Sequence, residues 1–291
     1  MNPDPGTRWA VDALTFDAGF RAASPREFGL AVASRIRDSA ANGARVVVAP
    51  ELLWLALAQF GETNCRRLAE LLRNEVWPEV TANLPGNCLV VAGTAPWVCE
   101  ATGQLRNRAL IWPEAHQDKL HLTPWESPLF APGEELRLIE FPGLRVAVLI
   151  CLDVEVPEVA VTLRGREIDL LLVPSATDSR WGYQRVNRCA SARAVELGCA
   201  VVVTHLTGKG PVEMIDENLG AAACYLPAQS ALQRVAGAGT LGNLPEPVAS
   251  GAWAQRYEID LAALRTARQA EGETNPARLR PANVRNPKSE I

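Results

Sequence analysis

The chain has 291 residues, of which 48% are apolar and 21% charged, enough to bury a sizeable core and unlike a disordered or low-complexity chain. A formal net charge of −4 and a pI near 5.6 provide no field that gathers nucleic acid or anionic lipid, so a small-molecule substrate or a protein partner is expected instead. The first residues, MNPDPGTRW, lack a basic stretch followed by an apolar one, and no window reaches the roughly 18 apolar residues of a membrane helix; a soluble cytoplasmic protein is expected.

In chain order, short apolar runs alternate with segments of helical period. WAVDALTF (9–16), ARVVVAP (44–50), NCLVVAGT (87–94), RNRALIW (106–112), LRVAVLIC (144–151), DLLLVPS (169–175) and CAVVVTH (199–205) are predicted strands, rich in Val, Ile and Leu and bounded by Gly, Pro or Asn. Phe28, Val32, Ile36 and Ala40 share a face of a predicted helix over 26–41, as do Leu68, Leu72 and Val76 over 64–76, and a third helix is expected over 183–197. Strands apolar throughout and separated by helices imply buried sheets covered by helices, an α/β fold. GAAACYL and GAWAQRYEID add strand-like pieces between 220 and 260. The domain is expected over residues 5–272, followed by a Pro- and Arg-rich surface arm over 273–291.

The seven cysteines are odd in number and form no CxxC pair, which argues against a disulfide scaffold or a structural zinc site. His116, His121 and His205 have no metal-ligand spacing, and no metal is expected. GAGTLG (237–242) fits a dinucleotide-binding glycine pattern, but Pro245 and Pro247 prevent the helix that this pattern requires, so no cofactor is expected either.

Two of the strands end in chemistry-bearing residues. VVVAP runs into Glu51 and VLI into Cys151, while QDKLHLTPWE between them carries Lys119 and Glu126. Strand ends are where rigidly held side chains meet a ligand crevice. A thiol is largely protonated at neutral pH and needs a base such as Glu51, and attack on an amide or nitrile builds charge that a fixed cation or N–H stabilises. Taken singly, Glu51 reads as a first-turn carboxylate of a helix beginning ELLWLALAQF, Lys119 and Glu126 as surface residues, and Cys151 as a core thiol.

Together, APE, DKLHLTPWE and ICLDVEVPE, in this order and spacing, resemble the three signature segments of the nitrilase superfamily of carbon–nitrogen hydrolases. The resemblance extends through CASARAVELGCAVVV (189–203) and YEIDLAALRTAR. It implies a four-layer αββα sandwich and a homodimer or larger assembly. It also implies Glu51 as general base, Lys119 as oxyanion-stabilising lysine, Cys151 as the nucleophile that becomes a thioester, and Glu126 as an assisting carboxylate. The Leu152 N–H is the second expected oxyanion donor, and Trp125, Ser175 and Trp181 are expected to line the substrate pocket. Leu152, Leu197 and Ala222 depart from the residues common in the family. An amidase acting on a small amide is the expected activity. A nitrilase, an amide-forming N-acyltransferase with the same residues, or an inactive scaffold relative are the alternatives.

Overall fold

The computed structural model describes residues 8–113, 115–229, 232 and 244–269. Two mixed sheets lie face to face. One has the strand order β12-β1-β3-β4-β5-β6, formed by Ala254–Asp260 (β12), Arg8–Leu14 (β1), Val46–Ala49 (β3), Leu89–Val98 (β4), Leu105–Trp112 (β5) and Ala115–Asp118 (β6). The other has the order β11-β10-β9-β8-β7, formed by Ala223–Tyr225 (β11), Ala200–Thr207 (β10), Leu170–Ser175 (β9), Leu144–Val148 (β8) and Leu138–Phe141 (β7). The central strands β1, β3 and β4, and likewise β8, β9 and β10, run parallel.

Alternation along the strands explains the layering. Val46 and Val48 of β3 and Leu89 and Val91 of β4 face the second sheet in one cluster with Val146, Leu171 and Val202. Their neighbours Val47, Ala49, Val90 and Ala92 face outward, onto Phe28, Val32 and Ile36 of helix α1 (Pro25–Ala41). Each such fully buried Val, Leu, Ile or Phe side chain contributes ~1.5–3 kcal/mol. On the far side lie α4 (Pro157–Leu163) and α5 (Arg180–Leu197), which pack Val159, Val186, Ala190 and Ala194 into the first cluster. The α/β sandwich expected from the sequence is the fold observed.

Three boundaries differ from the sequence reading. The strand predicted over 9–16 is two: β1 ends at Leu14, and Phe16–Asp17 (β2) pairs instead with Leu206 and Thr207 of β10, so the chain steps between sheets at buried Thr15. The helix predicted over 64–76 is Cys65–Leu71 (α2), a π-helical turn over Leu72–Val76, and Trp77–Thr81 (α3). Pro78 accounts for the break, since its ring clashes with the carbonyl four residues back and supplies no N–H. ELLWLALAQF forms not an α-helix but a 3₁₀ segment over Leu53–Phe60, so Glu51 precedes it. Helix α6 (Leu261–Gln269) closes the described chain. GAGTLG and residues 273–291 lie outside the described residues.

Candidate active site

Glu51 is held by an unusual turn. Leu52 adopts φ 56°, its N–H donates to Thr94 Oγ1 at 2.9 Å, and the Thr94 N–H donates to the Pro50 carbonyl at 3.2 Å. Gly93 lies against this turn at φ 78°, where an added Cβ would sit 2.6 Å from the Pro50 oxygen, so only glycine fits. Lys119 directly follows β6, its N–H donating to the Asn107 carbonyl at 2.8 Å. Cys151 directly follows the β8 region at φ 46°, a left-handed conformation that costs a cysteine about 1–3 kcal/mol. It begins a 3₁₀ turn over Cys151–Glu155 that brings Leu152 to the same surface.

Asp153 connects the two loops. Its carboxylate accepts the main-chain N–H groups of Leu120 at 3.2 Å and His121 at 2.7 Å on the lysine side, and of Ile150 at 3.1 Å on the cysteine side. Arg193 of α5 buttresses the same turn through Nε to the Val154 carbonyl at 3.1 Å, and pairs with Glu196 at 2.5 Å.

These supports bring Glu51, Lys119 and Glu126 into a closed, buried ring. Lys119 Nζ lies 2.7 Å from Glu51 Oε1 and 2.6 Å from Glu126 Oε2, with the lysine and Glu51 side chains only 1% and 2% exposed. Asn107 of β5 completes the ring, its Nδ2 donating to Glu51 Oε1 at 3.0 Å and to Glu126 Oε1 at 2.8 Å. The other Glu51 oxygen, Oε2, accepts the Ala176 N–H at 3.0 Å, and Cys151 Sγ donates to the Ala176 carbonyl at 3.6 Å. Carboxylate and thiol therefore meet the same main-chain residue.

Burial dominates the ionisation of this group. It pushes Glu51 up to about 7, against the pull of Lys119 and with the help of the nearby Glu126 charge; the Cys151 thiol weakly favours the charged carboxylate. Burial and the two carboxylates raise the Cys151 thiol well above its ordinary value, with Lys119 opposing. For Lys119 burial acts to lower the value, but Glu51 and Glu126 outweigh it and keep the ammonium charged. Glu126, despite burial, is held below the usual range by Lys119, Thr123 and Asn107. A carboxylate titrating near neutrality beside a protonated thiol is suited to accept its proton, with a fixed cation alongside.

Glu51, Lys119, Glu126, Cys151 and Leu152 all line one cleft of about 640 Å³. Leu52, Leu55, Leu129 and Met214 give it an apolar side. Trp125 lines it and is 73% exposed. Ser175 and Trp181 are not among its lining residues. Ser175 is fully buried at the end of β9, and the cleft is lined instead by Ala176 and Thr177 just beyond it; Trp181 is 77% exposed in the first turn of α5, whose Gly182, Arg185 and Val186 line the cleft. Asn107 is the site residue that the sequence reading missed. Its only signal was a lone amide in a predicted strand, between Arg106 and Arg108. Among the described residues, no group of three or more His, Cys, Asp or Glu is placed to hold a metal ion, and no helix is long and apolar enough to cross a membrane.

Fold and site define the class. The carbon-nitrogen hydrolase profile matches residues 28–232, and the chain belongs to that family, within the nitrilase superfamily. It is 30% identical over 156 residues to the probable hydrolase YhcX of Bacillus subtilis (53% of this chain, 29% of that protein) and 33% identical over 93 residues to an (R)-stereoselective amidase of a Pseudomonas species (32% and 33%). The chain thus spans a third or less of the length of these two relatives. Among solved structures, an amidase of Nesterenkonia AN1 from the nitrilase superfamily matches with a TM-score of 0.65 at 19% identity, covering 92% of this chain and 97% of that one. A carbon-nitrogen hydrolase of Helicobacter pylori G27 matches with a TM-score of 0.68 at 16% identity (90% and 92%). At these identities the structural matches establish the shared fold.

Proposed function

We propose that this carbon–nitrogen hydrolase is an amidase that cleaves a small non-peptide amide through a thioester on Cys151. The observation that carries the reading is the meeting of Glu51, Lys119 and Cys151 on one cleft, with Glu51 Oε2 and Cys151 Sγ both bonded to the main chain of residue 176.

Glu51 takes the Cys151 proton and the thiolate attacks the amide carbon. Lys119 Nζ and the Leu152 N–H hold the oxygen that becomes negative, and Glu126 keeps Lys119 charged and in place. As the tetrahedral adduct collapses, the C–N bond breaks and Glu51 returns the proton to the departing ammonia or amine. A water molecule then gives its proton to Glu51 and attacks the thioester, and the acid departs as the C–S bond breaks and the thiol is restored. A cytoplasmic homodimer or larger homo-oligomer that needs neither metal nor cofactor belongs to the same reading.

Incubating the protein with a mixture of small amides and measuring its intact mass tests the mechanism. An acyl adduct on Cys151, absent in Cys151→Ala and diverted to a hydroxamate by hydroxylamine, is the expected result. No adduct and no hydroxamate across a broad amide panel would refute it, and the adduct mass identifies the acyl group.

A further inference from the structure

The buried ring contains one member with no charge and no access to the cleft. Asn107 reaches both carboxylates through a single Nδ2, and its main-chain carbonyl accepts the Lys119 N–H, so one residue touches Glu51, Glu126 and Lys119. The orientation of its amide is forced, because two ionised carboxylates accept hydrogen bonds and cannot donate them. Its Oδ1 is consequently buried with no hydrogen-bond partner among the described residues. A buried amide that satisfies two neighbours and leaves its own oxygen unpaired does not serve stability first.

The two oxygens of Glu51 are made unequal by this contact. Oε1 receives Lys119 Nζ at 2.7 Å and Asn107 Nδ2 at 3.0 Å, whereas Oε2 receives the Ala176 N–H at 3.0 Å and neither member of the ring. Oε2 retains the free lone pair, and it lies beside the residue whose carbonyl Cys151 Sγ contacts.

We propose that Asn107 is a positioning residue of the active site: its Nδ2 commits Glu51 Oε1 to the ring and leaves Oε2 as the atom that exchanges protons with Cys151. The inference rests on the proposed role of Glu51 as base. Asn107 also lies between two carboxylates that repel each other, and its donor favours their charged forms. Without it, Glu51 holds its proton to higher pH and the carboxylate is free to turn.

The rate at which iodoacetamide alkylates Cys151, followed by peptide mass across about pH 5 to 9, tests this without knowledge of the substrate. In Asn107→Leu, which keeps the volume and removes the donor, the half-point of the profile is expected to rise by about one pH unit, and the rate at neutral pH to fall roughly tenfold. Asn107→Asp, of the same shape, should also shift the profile upward, because it adds a third carboxylate to the ring. A residue that merely fills space would leave the profile of Asn107→Leu unchanged, whereas the added charge of Asn107→Asp moves the profile in either case. If the leucine variant does not fold, Asn107→Ala, which also removes the donor and adds no charge, decides. Half-points unmoved and rates within about twofold of the parent in a folded variant would overturn the inference. Glu51→Gln separates the two readings. If it abolishes the pH dependence while the Asn107 variants leave it intact, only the role of Asn107 fails; if it too leaves the profile unchanged, the role of Glu51 fails first.

Discussion

Two clusters are built on buried carboxylates near opposite ends of β9, and they differ in how charge is balanced. In the active-site ring two carboxylates share one lysine, all of them almost fully buried. At the start of β9, a single carboxylate, Asp169, receives four donors: Arg265 Nε at 2.9 Å and Nη2 at 2.6 Å, Arg268 Nη2 at 3.1 Å, and the Arg145 N–H at 3.0 Å. Both sites pay a desolvation penalty. At Asp169 the arginines and the N–H of Arg145 overcome it, and the carboxyl is held below its usual range. At Glu51 burial wins, and the carboxyl rises to about 7. A buried carboxylate with surplus donors is a fastener, which here ties α6 to the sheet; one with a shared donor and a raised pKa is suited to the base role proposed for Glu51.

Removing the thiol breaks the contrast most sharply. Cys151→Ala should lower amide turnover by ~10⁴-fold or more while leaving the unfolding midpoint close to that of the parent, because the thiol is small and its left-handed φ of 46° contributes strain, not stability. Residual turnover within tenfold of the parent would place the chemistry elsewhere. Asp169→Asn should behave in the opposite way, losing about 2–3 kcal/mol of stability in denaturant titrations with the pH profile of activity unmoved. The sign of its pH dependence follows from its lowered pKa. The stabilisation is present above the ordinary carboxyl value of about 4 and is lost as pH falls through the folded value, so parent and variant should converge in acid. For Glu51, the raised value predicts that kcat/KM climbs with pH through about 7, falling about tenfold per unit on the acid side, since only the ionised form accepts the thiol proton. An acid limb near pH 4 would mean that burial does not control this group.

The same difference in balance explains what the sequence revealed. Glu51, Lys119 and Cys151 each follow the end of a strand and sit in separated segments with recognisable neighbours, so their convergence was legible in the sequence. The core strands were equally plain, because Val, Leu and Ala run along both faces of β3, β4 and β9. Two of the four edge strands were not: β6 (Ala115–Asp118) and β7 (Leu138–Phe141) are four residues each and half exposed, with too little apolar pattern to register. Asn107 was hidden for another reason. Its role depends on which side of β5 faces the ring, and a single amide between Arg106 and Arg108 carries no pattern of its own; Arg108 is paired with Asp118 at 2.6 Å across the strands. Trp181 misled because a residue in the right segment stands out of the cleft in the first turn of α5, while Gly182, Arg185 and Val186 of the same helix line it.

Charge balance also differs between the ring and the mouth of the cleft, where the effect should be smallest because water screens it. Glu155 is paired with Arg185 and Glu217 with Lys209, but Asp178, Glu213 and Asp216 are exposed and have no ion-pair partner among the described residues. Unpaired charges of one sign around a cleft attract opposite charge and repel like charge, within a Debye length of ~10 Å at 0.1 M salt. Modification of Cys151 by cationic and anionic methanethiosulfonates of similar size reads this field directly. The cationic reagent should be roughly three- to tenfold faster at low salt relative to the same pair acting on free cysteine, and the preference should fade near 0.5 M salt. Combining Asp178→Asn, Glu213→Gln and Asp216→Asn should remove most of it while leaving the neutral-reagent rate alone, since none of the three touches the ring. If the triple variant keeps the full preference, the selectivity arises within the ring itself, from Glu51 and Glu126 outweighing Lys119, and the mouth is electrostatically idle.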